Sequence, residues 1–458
     1  MRTPLLWTGA PAAALALALA SCSAIEPINA PAPGSGNANF STYAAMGTSI
    51  TAGTESGGLV VHHQIHSYAA LFARQAGASA FTEPTVSADG LPPLLRIVSL
   101  SPLIISNSGR TPGTPTNFAQ PTTYHNMGVP GALLIDAADS TYYYGGLPGR
   151  NSAAFDLIVR HRLGTILTQV AQLNPTFVSL EYGGNEVLGP ATNGSSSIPF
   201  PPATFQAILH GTIGGIQALM PNAKMAIFTV PNVTTIPYFT TFPAFTVNLQ
   251  TGQPLPLIGP GGTPLGVGDL VLLNAGADLA SGKGFPANGY NYVNPAQPGT
   301  GAPLDDSEVL SANEATIITS TVDGYNTAIR TEAGLAGAAV VDLHALLQTA
   351  STVGLEYQGA TYTSDYVTGG LFSLDGVHPN DLAHGFLANT MIDAVNATFG
   401  STIPPVNLSE AATANASRLL RDWCEKRRYP VIAGGPAYYR AMFPPLPAAG
   451  IATRVSLK

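Results

Sequence analysis

A serine on a glycine-flanked turn and a closely spaced Asp–His pair are the residues of this sequence whose types together could do chemistry. Ser49 lies in the string GTSITAG at 47–53, and Asp375 and His378 lie in DGVHP at 375–379. A serine hydroxyl becomes a nucleophile when a histidine removes its proton and a carboxylate orients that histidine. The two strings therefore contain the three groups that acyl transfer through a serine requires.

Two further residues could hold the negative charge that develops on an attacked carbonyl oxygen. Gly131, in NMGVPGA at 126–132, offers a backbone N–H, and Asn185, in EYGGNE at 181–186, offers a side-chain amide. Acyl transfer needs such preorganised donors, and the N–H of Ser49 is a third. Singly, these strings also fit ordinary turns, the Ser49 string fits a helix N-cap, and Asp-x-x-His fits a surface loop. Only their combination indicates a site.

Short apolar runs alternate with helical patterns along the body of the chain. Strands are predicted over 43–46, 176–180, 223–230 and 338–343, and helices over 67–76, 155–173, 204–219, 306–333 and 382–398. This alternation predicts βαβ units and a parallel sheet, in which functional groups gather at the carboxyl ends of the strands. Pro/Gly-rich stretches at 83–124 and 242–300 are too long for bare connections and are predicted insertions.

The four strings, in this order, resemble the nucleophile, glycine, asparagine and Asp–His blocks of the GDSL/SGNH serine hydrolases. The resemblance spans about residues 40 to 400. It implies a three-layer α/β/α sandwich with a five-stranded parallel sheet of flavodoxin-like type, and ester hydrolysis without a metal or other cofactor. It also implies the site residues: Ser49, Asp375 and His378 as the catalytic triad, and Ser49, Gly131 and Asn185 as the oxyanion hole.

The chain departs from the family pattern at two positions. Thr48 stands where the nucleophile block usually has Asp, and Glu186 stands where the asparagine block usually has Asp. Neither position supplies a proton-transfer group or an oxyanion donor. The expected consequence is altered support for the Ser49 turn with the chemistry kept.

Other polar and aromatic groups are weaker candidates. His62-His63-x-x-His66 has a spacing that could hold a metal, but Glu55 is the only acid nearby in sequence, so no metal site is predicted. Asp342 and His344 are predicted to lie in a buried strand with structural roles. The aromatic residues that could line an acyl pocket, or equally pack in the core, are Tyr142, Tyr143, Tyr144, Phe239, Phe242 and Phe245.

The first residues indicate export. A positive start is followed by an apolar run to Ala20 and then by LASC at 19–22, which resembles a bacterial lipobox. The resemblance implies a signal peptide at 1–21, lipid on Cys22, and a cell-envelope location, with Ser23 favouring the outer membrane. The alternative is an ordinary signal peptide that contains a cysteine. Residues 22–39 are predicted to form a flexible tether, 40–400 the hydrolase domain, and 401–458 an extension of unknown role.

Charge and cysteine content exclude several classes of protein. Only 10% of residues are charged and the net charge is −8, and an acidic body does not suit nucleic acid. With Cys22 lipidated, Cys424 has no partner, which excludes a disulfide framework and a cysteine metal site. Residues 418–458 carry eight Lys/Arg against two Asp/Glu, so this tail is basic and its role stays open among a lipid- or glycan-binding appendage, a subdomain and an unfolded stretch.

The sequence therefore predicts a monomeric, membrane-anchored serine esterase or lipase that acts on a lipid or acetylated glycan ester. One alternative is a non-catalytic binding lipoprotein on the same fold, which Thr48 and Glu186 would suit. Another is a deacetylase of acetylated polysaccharide, for which the two insertions would form an open cleft.

Overall fold

A five-stranded parallel sheet forms the centre of the protein. The structure is a computed structural model that describes residues 34–100, 103–139, 157–160, 163–409 and 411. The strands of these residues are β1 Tyr43–Gly47, β2 Arg96–Leu100, β3 Leu103–Ser106, β4 Asn126–Gly128, β5 Phe177–Glu181, β6 Lys224–Phe228, β7 Phe245–Val247, β8 Pro254–Pro256, β9 Leu270–Val271, β10 Val309–Leu310, β11 Ala339–Val341, β12 Leu355–Tyr357 and β13 Ala360–Tyr362. The central sheet has the order β11-β6-β5-β1-β4, and each of its neighbouring pairs is parallel.

Helices cover both faces of this sheet. The helices that lie wholly within the described residues are α1 Ser49–Ala52, α2 Val61–Gln64, α3 Tyr68–Gln75, α4 Ile166–Gln172, α5 Gly184–Ala191, α6 Pro202–Leu219, α7 Pro237–Thr240, α8 Gly276–Ala280, α9 Ala312–Ala336, α10 Leu343–Thr352 and α11 Asp381–Phe399. Side chains of β1 alternate between two cores: Ala44 and Met46 pack with α6 and α9, and Tyr43 and Ala45 pack with α3 and α11. Because successive strand residues face opposite sides, this alternation produces the three-layer α/β/α fold that the family resemblance implies.

Two predicted helices are shorter than expected. Of the helix predicted over 155–173, the described residues contain helical backbone at 157–158 and helix α4 Ile166–Gln172. Arg160 and Gly164 have left-handed φ values of 44° and 107°, which a helix cannot include. The helix predicted from 306 begins at Ala312, because a 3₁₀ turn and strand β10 precede it. Ser311 caps this helix and pairs with Glu314 in a capping box.

The two Pro/Gly-rich stretches contain structure of their own. Strands β2 and β3 pair antiparallel inside 83–124. The stretch 242–300 contains β7, β8 and β9 and a small hydrophobic core around Leu257, Leu279 and Phe285. Each stretch thus buries part of its own apolar surface.

The ends of the described chain are fixed to helix α11. Residues 34–39, in the predicted tether, pack here: Asn37 N–H donates to Phe399 O at 2.8 Å, and Gly34 and Thr402 bond each other. Ile403 and Val406, in the predicted extension, are buried in the core that β1 forms with α3 and α11. Among the described residues, no helix has both the length and the hydropathy to span a bilayer. The signal peptide, Cys22 and the basic tail lie outside the described residues and stay predictions.

Candidate active site

Ser49 is the first residue of helix α1, directly after strand β1. Thr48 caps the helix: its hydroxyl accepts from Ile50 N–H at 3.4 Å. Ser49 is buried, with 4% of its surface exposed. The strand-to-helix turn is tight, since a Cβ on Gly47 would lie 2.1 Å from Thr51 Oγ1. Glycine is therefore required at 47, and the structure places Ser49 at the carboxyl edge of the sheet, as predicted.

Glu181, the last residue of β5, is a site residue that the sequence reasoning missed. Its Oε2 accepts from Thr48 N–H at 3.0 Å, from Thr48 Oγ1 at 2.7 Å and from Thr51 Oγ1 at 3.0 Å. Burial raises the pKa of Glu181, although these three hydrogen bonds act in the opposite direction. The Asp that the nucleophile block usually has before the serine is replaced by Thr48, and the buried Glu181 carboxylate of the neighbouring strand holds the Ser49 turn. The register that pairs Gly47 with Glu181 brings it there.

Gly131 and Asn185 follow the two strands that flank β1. Gly131 has a φ of 80°, in the left-handed region that favours glycine. Asn185 lies in the first turn of α5, and its Nδ2 donates to Ala132 O at 2.8 Å. An amide nitrogen carries two N–H groups, so this bond leaves a second donor on Asn185. The contact brings Asn185 against the Gly131 loop.

Glu186, the second departure from the family pattern, has a structural contact of its own. It is fully buried, and its Oε1 accepts from Leu134 N–H at 2.7 Å. Leu134 begins the 3₁₀ turn that follows the Gly131 loop. Glu186 thus fixes this loop to helix α5.

Asp375 and His378 are hydrogen bonded as the sequence predicts. His378 Nδ1 lies 2.8 Å from Asp375 Oδ2, and both side chains are buried. Asp375 Oδ1 accepts from the N–H groups of Val377 and His378, at 2.9 Å each, and from Ser373 Oγ at 3.0 Å. Burial would raise the pKa of Asp375, but the His378 imidazole and these N–H groups outweigh it and hold that pKa below its ordinary value. Asp375 is therefore an anion that orients the His378 ring with Nδ1–H toward it.

The segment that follows Ser49 is bonded directly to the Asp375 loop. Gly57 N–H donates to Asp375 Oδ2 at 2.7 Å, and Ser56 N–H donates to Ser373 Oγ at 2.9 Å. These contacts join parts of the chain more than 300 residues apart. They fix the predicted general base relative to the helix that carries the predicted nucleophile.

An apolar cavity of about 80 Å³ lies beside both segments. Its lining includes Ile50, which follows Ser49, and Val377 and Pro379, which flank His378. The remaining walls are apolar side chains, among them Leu346 and Leu347 of α10, Leu387 of α11, and Phe372. The cavity is therefore placed to receive an apolar group bound next to the two segments.

The weaker candidates are distributed elsewhere. Asp342 and His344 do not lie in a strand, contrary to the prediction: Asp342 caps helix α10, and His344 lies in that helix. Asp342 accepts hydrogen bonds from Thr229 and Arg330 and therefore has a structural role. Phe239 belongs to the main core, and Phe242 and Phe245 pack on the core of the 242–300 stretch. None of the three lines the cavity described above. Tyr142–Tyr144 lie outside the described residues.

Together, the sheet and these residues define a three-layer α/β protein with a serine, a histidine and buried carboxylates at the carboxyl edge of its strands. The sequence profile of the family described as GDSL-like Lipase/Acylhydrolase matches residues 43–391, a range that includes Ser49, Gly131, Asn185, Asp375 and His378. The chain belongs to this family. Membership supports an ester hydrolase in general, and a comparison with curated protein sequences finds no match.

Three solved structures resemble the chain at low identity. A protein described as a GDSL-like lipase from Parabacteroides merdae is 12% identical, covering 79% of this chain and 99% of its own, with a TM-score of 0.34. An extracellular lipase from Streptomyces rimosus is 14% identical (77% and 98% covered, TM-score 0.34). A phospholipase A1 from Streptomyces albidoflavus is 13% identical (78% and 97% covered, TM-score 0.30). With TM-scores this low, the family assignment rests on the profile match.

Proposed function

We propose that the protein is a serine-dependent carboxylic ester hydrolase that acts through Ser49, His378 and Asp375. The observation that carries this proposal is the Asp375–His378 hydrogen bond, held against the segment after Ser49 by Gly57 N–H. A buried, oriented Asp–His pair fixed to the segment that follows a strand-end serine is what a serine nucleophile needs for activation. Membership of the family supports the same chemistry.

In this mechanism Ser49 Oγ attacks the ester carbonyl carbon while His378 Nε2 takes the hydroxyl proton. Asp375 accepts the Nδ1–H bond and stabilises the imidazolium that forms. The tetrahedral intermediate collapses, the C–O bond to the alcohol breaks, and His378 returns its proton to the leaving alkoxide. A water molecule then attacks the acyl-enzyme with His378 as general base, which releases the carboxylic acid and restores Ser49.

The carbonyl oxygen becomes negative in both tetrahedral intermediates. The N–H groups of Ser49 and Gly131 and the second amide N–H of Asn185 are the proposed donors to it. Each such donor contributes about 3–4 kcal/mol to lowering the barrier. Their supports are already in place, since Glu181 holds the Ser49 turn and Glu186 holds the loop after Gly131.

The direct test is hydrolysis of p-nitrophenyl esters by the purified protein and its variants. Ser49→Ala is expected to lower kcat/KM by roughly 10³-fold or more, and Asp375→Asn by a comparable factor because it disturbs the His378 tautomer. Ser320→Ala, at an exposed serine of helix α9 outside the site, is the matched control and should keep parental activity. Parental activity in Ser49→Ala would contradict the mechanism.

The cavity beside Ile50 and Val377 supports an apolar acyl group as the substrate portion bound there. Burial of methylene groups against its apolar walls would stabilise each by about 0.8 kcal/mol. Leu346→Trp, which fills the cavity from its half-buried wall, is expected to lower kcat/KM for butyrate and longer esters at least tenfold while leaving acetate within about twofold. An equal loss for acetate and longer chains would contradict this placement of the acyl group.

A further inference from the structure

Three histidines lie on or directly after the short helix α2. His62 and His63 lie on the helix and His66 lies in the turn after it, with the rings of His62 and His66 5.4 Å apart between centroids. His66 Nδ1 lies 2.7 Å from His62 O. Because a carbonyl can only accept, Nδ1 carries the proton and Nε2 of neutral His66 keeps its lone pair. Histidines that bind metals are oriented in this way by a hydrogen bond from the other ring nitrogen.

Asp381 brings a carboxylate to these histidines from more than 300 residues further along the chain. It is the first residue of α11, and it is fully buried. Packing of α11 against α3, which begins two residues after His66, places it there. One ligand atom from each of His62, His66 and Asp381 lies within 4.8 Å of the other two. The sequence spacing around the histidines could not reveal this acid.

A second layer of buried groups lies behind Asp381. His63 Nδ1 is 2.9 and 3.0 Å from the two Asp381 oxygens and 2.9 Å from Glu55 Oε2. His63 and Glu55 are themselves buried, with 2% and 3% of their surface exposed. These contacts therefore fix the position of the Asp381 carboxylate from the side that faces the interior of the protein.

We propose that His62, His66 and Asp381 bind a divalent transition-metal ion such as Zn²⁺, with His63 and Glu55 orienting the Asp381 carboxylate. Two imidazole nitrogens and one carboxylate oxygen are a ligand set that zinc accepts, with a water molecule in the fourth position. Donor atoms of a tetrahedral zinc site lie about 3.3 Å apart, from bonds of about 2.0–2.1 Å. Modest side-chain rotation would contract the present arrangement to that spacing.

The half-buried histidines give the ion a route from solvent, and the Asp381 carboxylate offsets part of its charge. The ion would join helix α2 to the start of α11, three residues after His378. No step of the proposed ester hydrolysis uses it. Its expected effect is to stabilise the fold around the Asp375 loop.

The test is titration of chelator-treated, purified protein with Co²⁺ and then Zn²⁺. The parent is expected to take up one Co²⁺ per chain with the visible absorption of a low-coordinate ion, and Zn²⁺ should displace it and raise the unfolding temperature. His62→Ala/His66→Ala should weaken binding at least 100-fold. Glu55→Gln, in the second layer, should weaken it about 10- to 100-fold.

Two controls separate this site from other histidines and from the proposed hydrolase. His210→Ala removes an exposed histidine paired with Glu332 and should bind the ion as the parent does. Ser49→Ala should also bind normally, so that loss of esterase activity and loss of metal binding are distinguishable. The proposal is overturned if the parent binds no ion, or if the folded double variant, checked by circular dichroism, binds as tightly as the parent.

Discussion

Thr48, one residue before the predicted nucleophile, shows how a departure from a family pattern can be compensated nearby. Its hydroxyl and N–H both donate to Glu181, a carboxylate that reaches the turn from strand β5. Thr51 donates to the same oxygen, and the Tyr68 hydroxyl lies 2.8 Å from Thr51 Oγ1. Glu181 thus holds both ends of the first helical turn. The Ser49 turn is therefore supported by Glu181 of the neighbouring strand, in place of the Asp that the family usually has at the position of Thr48.

The pairing of Thr48 with Glu181 predicts that the usual family residue is harmful in this chain. Thr48→Asp would place a second carboxylate about 3 Å from Glu181 Oε2, where two buried anions repel. We expect it to lower the free energy of unfolding at pH 8 by about 1–3 kcal/mol and to lower kcat. Thr48→Ser, which keeps the hydroxyl, should stay near the parent in both measurements.

The same pair gives a second-site rescue. Adding Glu181→Gln to Thr48→Asp removes one charge and supplies an amide N–H to the new carboxylate, so stability and kcat should recover. A double-mutant cycle should give a coupling energy of about 1–3 kcal/mol. Additive effects of the two substitutions would contradict the direct contact.

The residues predicted to react are easier to identify from this sequence than the residues that hold them in position. Ser49, Asp375 and His378 stand out because their types and local spacing are those of acyl transfer. Glu181 and Asp381 do not stand out, because each meets its partners only through strand register or helix packing across more than 100 residues. Long-range contacts of this kind leave no local pattern in the chain.

Among the helices and strands, those with a long apolar periodicity are predicted more accurately than the short ones. Strand β1 and helices α3, α6 and α11 match their predicted positions to within about two residues. Strand β4 has only three residues and lies inside the string NMGVPGA at 126–132, so no apolar pattern predicts it. The predicted helix over 155–173 is interrupted because Arg160 and Gly164 take left-handed conformations. Backbone breaks of this kind depend on surroundings that periodicity does not encode.

The segment that enters the 83–124 stretch contains a buried acid, Glu83. Asn126 Nδ2 lies 3.4 Å from Glu83 Oε2, and this asparagine also bonds Thr51 O at 2.9 Å. Burial raises the pKa of Glu83 to about 7, against the smaller opposing effects of Asn126 and Arg74. Glu83 therefore links β4 and α1 to the stretch while resisting ionisation.

This raised pKa predicts a pH-dependent stabilisation by Glu83→Gln. An acid whose folded pKa is raised costs stability as pH rises from its unfolded pKa, near 4.5, to its folded pKa, near 7. The full cost is about 3 kcal/mol, at 1.36 kcal/mol per pKa unit. In urea unfolding, Glu83→Gln should therefore match the parent near pH 4.5 and be more stable by up to about 3 kcal/mol at pH 8.

An exposed acid provides the control for this measurement. Glu356, on strand β12, is exposed, and Glu356→Gln should shift stability by less than about 0.5 kcal/mol at either pH. A Glu83→Gln variant with the same small, pH-independent effect would show that Glu83 ionises freely in the folded protein.

At the scale of the whole molecule, three adjacent strands bring the predicted site residues to one edge. Strand β1 leads to Ser49, β4 leads to Gly131 and β5 leads to Asn185, with Gly47, Gly128 and Glu181 in register at their ends. The Asp375 loop then docks on the segment after Ser49 through Gly57 and Ser56. The fold class and the edge could be predicted from the alternation of strands and helices. The docking of the distant loop could not, because it depends on the whole tertiary structure.

Covalent labelling by a serine-directed fluorophosphonate probe would distinguish a Ser49 nucleophile that His378 activates from a buried, unreactive serine. Intact-mass and peptide mass spectrometry of the labelled protein should show one adduct, on Ser49. The adduct should be absent in Ser49→Ala and should form at least roughly 10²-fold more slowly in His378→Ala, which lacks the general base. No adduct on the folded parent, or labelling of Ser49 at an unchanged rate in His378→Ala, would show that Ser49 is not a nucleophile activated by His378.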